Sequence, residues 1–436
     1  MGGRRCLTLA AALAAAGSLW SGPWASAATI EVPAGADGLR QAIASAAPGD
    51  RLVVGPGIHD GPVTIDRPLI LEGRSGAIVD AHGKGRTIEV TAPDVTIRKL
   101  TIRGSGASLD RMDGAVFLAR TATRALVEDN DIDGNLTGVY VHGAQDAIVR
   151  GNRIAGRTDL RLNEDGNGVY VWNAPGAQVL DNHITGGRDG IFTVTSRNNV
   201  FRGNRLQGVR FAVHYMYTND SEVSDNISVG NHAGYVLMYS DRIRVLNNVS
   251  VGDRDHGILL NYENGSDIEG NAVLHGNQKC VFIYNANKNT FRRNSFEGCR
   301  IGIHFTAGSE RNLILENAFI GNQTQVLYVG TRFLDWSHNG RGNYWSDDPA
   351  FDLNGDGIAD APYRPNDLVD QVVWRYPAAK LLLNSPATQV VRWAQSQFPA
   401  LHPGGVIDSA PLMRAPDIPA AAIAAAALAA GTGAWR

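Results

Sequence analysis

The sequence predicts an all-β protein, a right-handed parallel β-helix with coils of about 22 residues. The first observation is an apolar residue with Asn three positions later, a pair that begins at Val127 and recurs once per coil up to Asn317. The second is an alternating apolar run that follows each Asn in the same coil, which is typical of strands. The third is composition: 50 Gly and 31 Asn in 436 residues with only 19% charged residues disfavour helical bundles. Such short repeats must stack on each other to bury their apolar faces.

The segment 1–27 is interpreted as a signal peptide. Arg4 and Arg5 precede an apolar run from Cys6 to about Leu19, and Ala25-Ser26-Ala27 is the small-x-small pattern that a signal peptidase cleaves. The apolar run is shorter than the roughly 20 residues that span a bilayer. We therefore expect export, by the general or the twin-arginine route.

The β-helix with its N-terminal cap is predicted over residues 28–335. A short helix over 38–46 places four small or apolar residues on one face, where they can cover the open first coil: Leu39, Ala42, Ile43 and Ala46. The step from Asn152 to Asn182 is longer than one coil, so the excess near 158–166 is expected to leave the coil as a loop.

The recurring Asn has a predicted structural role. We expect it at a turn with left-handed φ, with its side chain hydrogen-bonded to the Asn of the next coil. The coils before residue 127 lack this Asn, and Leu100 stands at the corresponding position.

Thioether and imidazole side chains are predicted on the outer face of neighbouring coils. Met216 and Met238 are one coil period apart and should stack, His214 shares their face, and His232 lies in a nearby turn. Soft ligands of this kind select Cu(I). Two compatible interpretations follow: an apolar contact patch for another protein, which we favour, and a transient Cu(I) site.

Aromatic side chains on the same outer face are predicted to contact a partner protein. They are Tyr140, His142, Tyr170, Trp172 and Phe192. The formal net charge of −3 offers no broad cationic surface, so nucleic acid is excluded as a partner. No tightly bound cofactor is expected.

One cluster resembles an enzyme site. Asp253, Asp255 and His256 combine paired carboxylates with an imidazole, which could perform acid–base chemistry on a sugar. Asp is also the residue expected at the turn before Gly257, and we favour this structural interpretation.

An Asp- and Asn-rich region is predicted over residues 336–376. Its oxygen-bearing residues follow the first nine positions of a calcium loop: Asp352, Asn354, Asp356, Ile358 through its carbonyl, and Asp360. Position 12 is Tyr363 instead of a bidentate Glu. Calcium binding and a self-closed turn both stay open.

Residues 377–436 are predicted as a helix over 377–398, a Pro-rich stretch over 399–419 and an Ala-rich tail. The tail, 420–430, is too short to span a membrane and is expected to be a frayed helix or disordered. After cleavage, two cysteines remain, Cys280 and Cys299. They occupy different positions of adjacent coils, so no disulfide is predicted between them.

Several segments resemble the NosD family of nitrous oxide reductase maturation proteins, and the resemblance covers residues 29 to about 415. The segments are 188–190, 210–220, 230–240, 252–257, 384–399 and 405–413. The His-Tyr-Met and Pro-Leu-Met sequences within them are more specific than the coil repeat.

The resemblance implies a periplasmic accessory protein and no catalytic residue. It implies docking on an inner-membrane ABC-type permease with its ATPase. With a copper chaperone lipoprotein, that complex would mature the copper–sulfur centre of nitrous oxide reductase. The competing hypothesis is a secreted polysaccharide lyase or epimerase, since such enzymes share the fold.

Overall fold

The computed structural model describes residues 27–35, 37–276, 278–330, 332–382, 385–398 and 405–430. Within these ranges the chain winds into a parallel β-helix with three sheets. Successive coils add one short strand to each sheet. The predicted parallel β-helix is confirmed. The predicted signal peptide lies, except for Ala27, outside the described residues.

The strands group by sheet. Sheet A contains Thr29–Val32, Arg51–Val54, Ile70–Gly73, Thr96–Arg98, Leu126–Glu128, Ile148–Arg150, Gln178–Leu180, Val200–Arg202, Glu222–Ser224, Arg244–Leu246, Asp267–Glu269, Thr290–Arg292 and Leu313–Leu315. Sheet B contains Gly57–Asp60, Ala77–Asp80, Thr101–Arg103, Asp131–Asn135, Arg153–Gly156, His183–Thr185, Arg205–Gln207, Ile227–Val229, Val249–Val251, Ala272–Leu274, Ser295–Glu297, Ala318–Ile320 and Tyr344–Trp345. Sheet C contains Val63–Ile65, Arg86–Val90, Gly114–Leu118, Val139–His142, Val169–Trp172, Asp189–Val194, Phe211–Met216, Ala233–Met238, His256–Asn261, Lys279–Tyr284, Ile301–Thr306 and Thr324–Val329.

The interior of the coil is filled by the inward side chains of all three sheets. In sheet C the side chains that face inward are at most 1% exposed: Val139, Val141, Val169, Val171, Val213, Tyr215 and Leu237. Residues between them therefore lie on the outer face, because side chains alternate along a strand. The loop over 157–168 interrupts this pattern where the sequence predicts it.

A ladder of buried Asn side chains runs along the corner between sheets A and B. In each step the backbone N–H and the Nδ2 of one Asn donate to the Oδ1 of the next at 2.8–3.1 Å. Its members are Asn130, Asn152, Asn182, Asn204, Asn226, Asn248, Asn271, Asn294, Asn317 and Asn343. The predicted hydrogen bonding is thus confirmed. The left-handed φ, however, belongs to the residue before the Asn in every ladder member up to Asn317, such as Asp129 or Asp225.

The two ends of the β-helix are covered by different devices. At the N-terminal end, helix α1, Gly38–Ser45, buries Leu39 and Ile43 against the first coils, as predicted. At the other end, Asp408 continues the ladder, because its Oδ2 accepts from the backbone N–H of Asn343 at 2.7 Å and from Nε1 of Trp345 at 2.8 Å. Strand Gly405–Ile407 pairs beside it with Phe333–Asp335.

The C-terminal region contains, within the described residues, three α-helices and one 3₁₀ helix. They are α2, Leu368–Arg375, the 3₁₀ helix Pro377–Leu382, α3, Pro386–Gln397, and α4, Pro419–Ala430. Helix α2 is not predicted by the sequence pattern, and the segment predicted as one helix over 377–398 contains the 3₁₀ helix and α3 as separate elements. Residues 399–404 of the Pro-rich stretch lie outside the described residues. In the part of the chain described, no helix is long and apolar enough to cross a bilayer.

The prediction of a frayed or disordered tail is wrong. Helix α4 packs on sheet B, with Ala420, Ala424 and Ala427 at most 2% exposed against the strands Val249–Val251 and Ala272–Leu274. These strands carry apolar side chains on their outer face, which need a cover. The small Ala side chains let the helix approach closely.

The prediction that Cys280 and Cys299 stay unpaired is also wrong. They form a disulfide with a Cα–Cα distance of 5.7 Å. Cys299 lies at the corner just before strand Ile301–Thr306, and the bend there turns its side chain inward to Cys280 on the preceding coil. Gly276, one coil below Cys299, has no side chain and leaves room for the sulfur. Position along the repeat alone does not capture this bend.

Candidate functional site

The outer face of sheet C carries a column of stacked rings. Register pairing places Phe117, Tyr140, Tyr170, Phe192 and His214 at the same position of successive coils. Neighbouring ring centroids are 4.5 to 5.4 Å apart along the whole column. The predicted partner-binding residues are therefore brought together, and their column ends at the predicted copper ligand His214.

A second column lies two positions further along the same strands. It brings His142 onto Trp172, with ring centroids 4.3 Å apart. Through Val194 it leads to Met216 and then Met238, which are direct register partners on adjacent coils. Both methionines are partly exposed. The predicted stacking of Met216 on Met238, one coil period apart, is thus confirmed.

The exposure of these columns differs from the sequence expectation. Tyr140 is only 8% exposed and His214 only 5%, although both face outward. Each ring is covered by the rings of the adjacent coils, so a column of aromatic residues shields itself from water. Burial lowers the pKa of His142, and the positive charge of Arg86 adds to that effect.

His214 lies in an enclosed environment. Its ring stacks on Phe192 at 4.7 Å and meets the edge of Phe211 at 5.1 Å. Its Nδ1 is 3.1 Å from Oδ2 of Asp189, while its Nε2 is buried with no hydrogen-bond partner among the described residues. An imidazole nitrogen left free in this way can bind a soft metal ion.

Asp189 is itself buried and held by two residues. Arg210 donates to it from Nε and Nη2 at 2.7 and 2.6 Å. Burial by itself raises the pKa of Asp189, but the hydrogen bonds from His214 and Arg210 outweigh it and leave this pKa below its ordinary value. Asp189 is thus a carboxylate. The sequence analysis missed this contact, because Asp189 and His214 are 25 residues apart and do not share a register position.

His232, the fourth predicted copper ligand, is engaged elsewhere. Its Nε2 is 3.1 Å from Oδ2 of Asp255. Phe211 contacts both imidazoles, with its ring centroid 5.1 Å from His214 and 6.2 Å from His232. The structure thus brings His214, Met216 and Met238 onto one sheet face and holds His232 at its border. Among the described residues, no group of three or more His, Cys, Asp or Glu could hold a metal ion.

A row of tyrosines borders the methionines and was missed by the sequence analysis. Tyr217, Tyr239 and Tyr262 are 54%, 40% and 43% exposed, and adjacent rings stack 5.1 and 5.2 Å apart. All three have φ near +50°, which is rare for a bulky residue. Backbone strain of this kind clusters at functional sites. The signal was available, because the tyrosines recur at the coil period.

The enzyme-like cluster does not converge. Asp253 is fully buried and accepts hydrogen bonds from Ser228, Ser250 and the backbone N–H of Asn231 at 2.6 to 2.7 Å. Asp255 pairs instead with His232 on the outside. Burial, with the nearby charge of Lys279, lowers the pKa of His256 to about 4. The structural interpretation is therefore supported for Asp253, and the lyase or epimerase hypothesis is not favoured.

The calcium-like loop closes on itself. Asp352 accepts from the backbone N–H groups of Gly355 and Gly357 at 2.6 and 2.8 Å, and Asp360 accepts from that of Leu353 at 2.7 Å. Asn354 and Asp356 form similar short-range turns, and Ile358 bridges to Leu412. These are the bonds of an Asx-rich turn. Calcium binding at this loop stays a prediction.

Comparison with known proteins identifies the family. A relative from Stutzerimonas stutzeri, named "Probable ABC transporter binding protein NosD", is 42% identical over 374 residues, which are 83% of this chain and 86% of the relative. The chain belongs to the NosD family. A relative of the same name from Pseudomonas aeruginosa is 39% identical over 373 residues, 83% of this chain and 87% of its own. The family model described as periplasmic copper-binding protein (NosD) matches residues 150–349.

The range matched by the family model includes the predicted copper ligands and most residues of the two columns on sheet C. The resemblance expected from the sequence is confirmed, and with it a periplasmic, copper-binding family whose members are named for binding an ABC transporter. A mannuronic acid specific polysaccharide family 6 lyase from human gut microbiota superposes with a TM-score of 0.54 at 11% identity, covering 73% of this chain and 87% of the lyase. This likeness shows the fold alone.

Proposed function

We propose that this NosD family protein receives Cu(I) on the outer face of sheet C and presents it for assembly of the copper–sulfur centre of nitrous oxide reductase. It acts as an accessory protein, not as an enzyme. A copper chaperone lipoprotein supplies the ion, and the aromatic columns of sheet C contact that chaperone or the reductase. An inner-membrane ABC-type permease with its ATPase anchors the protein.

The observation that carries the proposal is the pairing of Met216 with Met238 beside the free Nε2 of His214. His214 and Met216 are two positions apart on one strand, and Met238 lies on the adjacent strand, about 4.8 Å away in backbone spacing. Two thioethers and an imidazole nitrogen prefer Cu(I) to harder ions. Partial exposure of both methionines leaves them accessible to a donor protein.

The test is a competition titration of Cu(I) with a chromophoric chelator under reducing conditions. The variant His214→Ala, Met216→Ala, Met238→Ala is expected to bind Cu(I) at least tenfold more weakly than the wild type. The matched control replaces the same residue types elsewhere, His183→Ala, Met112→Ala and Met413→Ala, and should bind as the wild type does. Equal affinity of the two triple variants would rule out these ligands.

The maturation role has its own test in cells. A strain that lacks this protein is expected to make nitrous oxide reductase without its copper–sulfur centre. Complementation with the wild type should restore the centre, and complementation with the His214, Met216 and Met238 variant should not. Active, copper-loaded reductase in the deletion strain would contradict the proposed function.

A further inference from the structure

The hydrogen bonds around His214 determine which of its ring nitrogens carries the proton. Asp189 is 1% exposed, and Arg210 donates to both of its oxygens, so Asp189 can only accept from the imidazole. Nδ1 of His214, 3.1 Å from Oδ2 of Asp189, must then be the protonated nitrogen. Nε2, which is buried and has no hydrogen-bond partner among the described residues, is then the nitrogen left to bind a ligand.

The position of Asp189 relative to the methionines fits this arrangement. On strand Asp189–Val194, Asp189 lies three positions before Phe192, the register partner of His214. Met216 lies two positions after His214, towards the other end of the strand, and Met238 is its register partner on the next coil. The carboxylate and the thioethers therefore flank the imidazole from opposite ends of the strands. A donor nitrogen oriented by a carboxylate behind it is the usual arrangement for a metal-binding histidine.

We propose that Asp189 is the positioning residue that holds His214 in the Nδ1–H tautomer and so keeps Nε2 free for Cu(I), with Arg210 locking the carboxylate in place. This inference rests on the proposed function, because it assigns a role at the same site. Asp189 and Arg210 would not contact the copper ion, but they would determine the affinity of the site for Cu(I). Stacking on Phe192 and the edge contact with Phe211 fix the plane of the ring, and Asp189 makes Nδ1 the nitrogen that donates.

The decisive variant is Asp189→Asn. The amide Oδ1 of the variant would accept the hydrogen bonds from Arg210. The amide Nδ2 would then donate to Nδ1 of His214, so that the ring proton moves to Nε2. We expect ¹⁵N NMR of the metal-free protein to show the Nδ1–H tautomer in the wild type and the Nε2–H tautomer in the variant. Cu(I) affinity should fall about 10- to 100-fold, the usual effect of losing such a partner.

The matched control is Asp253→Asn, which changes another buried carboxyl that has no contact with His214. It should leave both the tautomer and the Cu(I) affinity unchanged. If Asp189→Asn does not fold, Arg210→Lys serves instead, because it keeps the positive charge but loses the bidentate hydrogen bonding to Asp189. It should yield a mixture of tautomers and a smaller loss of affinity.

The outcomes separate this inference from the proposed function. If His214→Ala binds Cu(I) like the wild type, the proposed ligand fails, and the positioning role toward copper fails with it. If His214→Ala binds weakly but the Asp189 variant keeps the wild-type tautomer or affinity, only the positioning role is overturned. A loss of affinity in the Asp189 variant without a change of tautomer would indicate a structural role and would also overturn it.

Discussion

Single polar residues inside this β-helix are tolerated where they continue a ladder from the neighbouring coil. Asp253 stands one coil after Asn231 and accepts from the backbone N–H of Asn231 at 2.7 Å. Unlike an Asn, it carries an ionisable group into a fully buried position. Burial raises its pKa to about 6, from an ordinary value of 3.8. At this position the structure therefore holds a carboxyl group that is easier to bury when protonated.

Asp253→Asn is expected to stabilise the protein above pH 6. Between pH 4 and 6 the folded state retains a proton on Asp253 that the unfolded state has lost, so the free energy of unfolding decreases as the pH rises through that window. The amide removes this loss and can still bond Asn231, Ser228 and Ser250. Thermal unfolding should show a gain of about 1–3 kcal/mol at pH 7 and little gain at pH 4. An equal gain at both pH values would contradict the argument.

Asn226→Ala is expected to destabilise the coil stack. Asn226 accepts from the backbone N–H of Asn204 at 2.9 Å and donates to the carbonyl of Phe201 at 2.9 Å. Alanine would leave both buried groups unpaired, at about 1–3 kcal/mol each. A melting experiment should therefore show a loss of about 2–6 kcal/mol for the two groups together. Asn163→Ala, in the exposed loop, is the control and should change stability by less than about 0.5 kcal/mol.

Residue-scale prediction succeeds where the coil period alone decides the contact. That period places Met216 on Met238, and the recurrence of Asn places each amide on the next. It fails where the contact crosses between register positions. The Asp189–His214 hydrogen bond and the Cys280–Cys299 disulfide both form where strand ends and corners bend the chain, and the repeat carries no information on those bends.

At the scale of elements, helix α4 shows that the local sequence pattern does not always identify the buried face of a helix. Helix α4 is apolar around its whole circumference, which by itself suggests no preferred face. Its face is chosen by the strands Val249–Val251 and Ala272–Leu274, whose outer side chains are apolar. The tail's own sequence pattern therefore does not indicate where it docks. Helix α1 was predicted correctly because its own amphipathic pattern indicates which face is buried.

Ala424→Leu is expected to displace α4 from sheet B. Ala424 is fully buried, and the added carbon atoms would overpack the contact by about 1–3 kcal/mol. Amide hydrogen exchange over Pro419–Ala430 should become faster, while exchange in the Asn ladder stays slow. Ala425→Leu provides the control on the exposed side of the same helix and should leave exchange unchanged. Equal protection of both variants would show that the close approach of α4 is not required.

On the scale of the whole molecule, the proposed copper ligands and the helices α2 and α3 lie in separate regions. The metal candidates lie in the middle of sheet C, whereas α2 and α3 attach near its last strand. There, Nδ2 of Asn366 donates to the carbonyl of Val326 at 2.6 Å, and Arg392 pairs with Asp367 to join the two helices. Copper binding and attachment should therefore be separable by mutation.

The C-terminal helices expose several large apolar side chains to solvent. Leu381 is 91% exposed, Leu382 58%, Val390 62% and Tyr376 62%. All four lie within residues 376–390, and large apolar side chains exposed together are typical of a contact with another protein or a membrane. Curated relatives are named for binding an ABC transporter, and we propose this surface as the contact with its permease.

The double variant Leu381→Asp, Leu382→Asp is expected to release the protein from inner membranes that contain the permease. Two carboxylates in an apolar contact would have to be desolvated, which opposes docking strongly. The melting temperature and the Cu(I) affinity should stay at wild-type values, because neither residue supports the coils. Leu353→Asp, at an 85% exposed position in the Asp-rich loop, is the control and should remain bound. If both variants sediment with the membranes as the wild type does, the C-terminal surface is not the attachment site and the contact must be sought on the coils themselves.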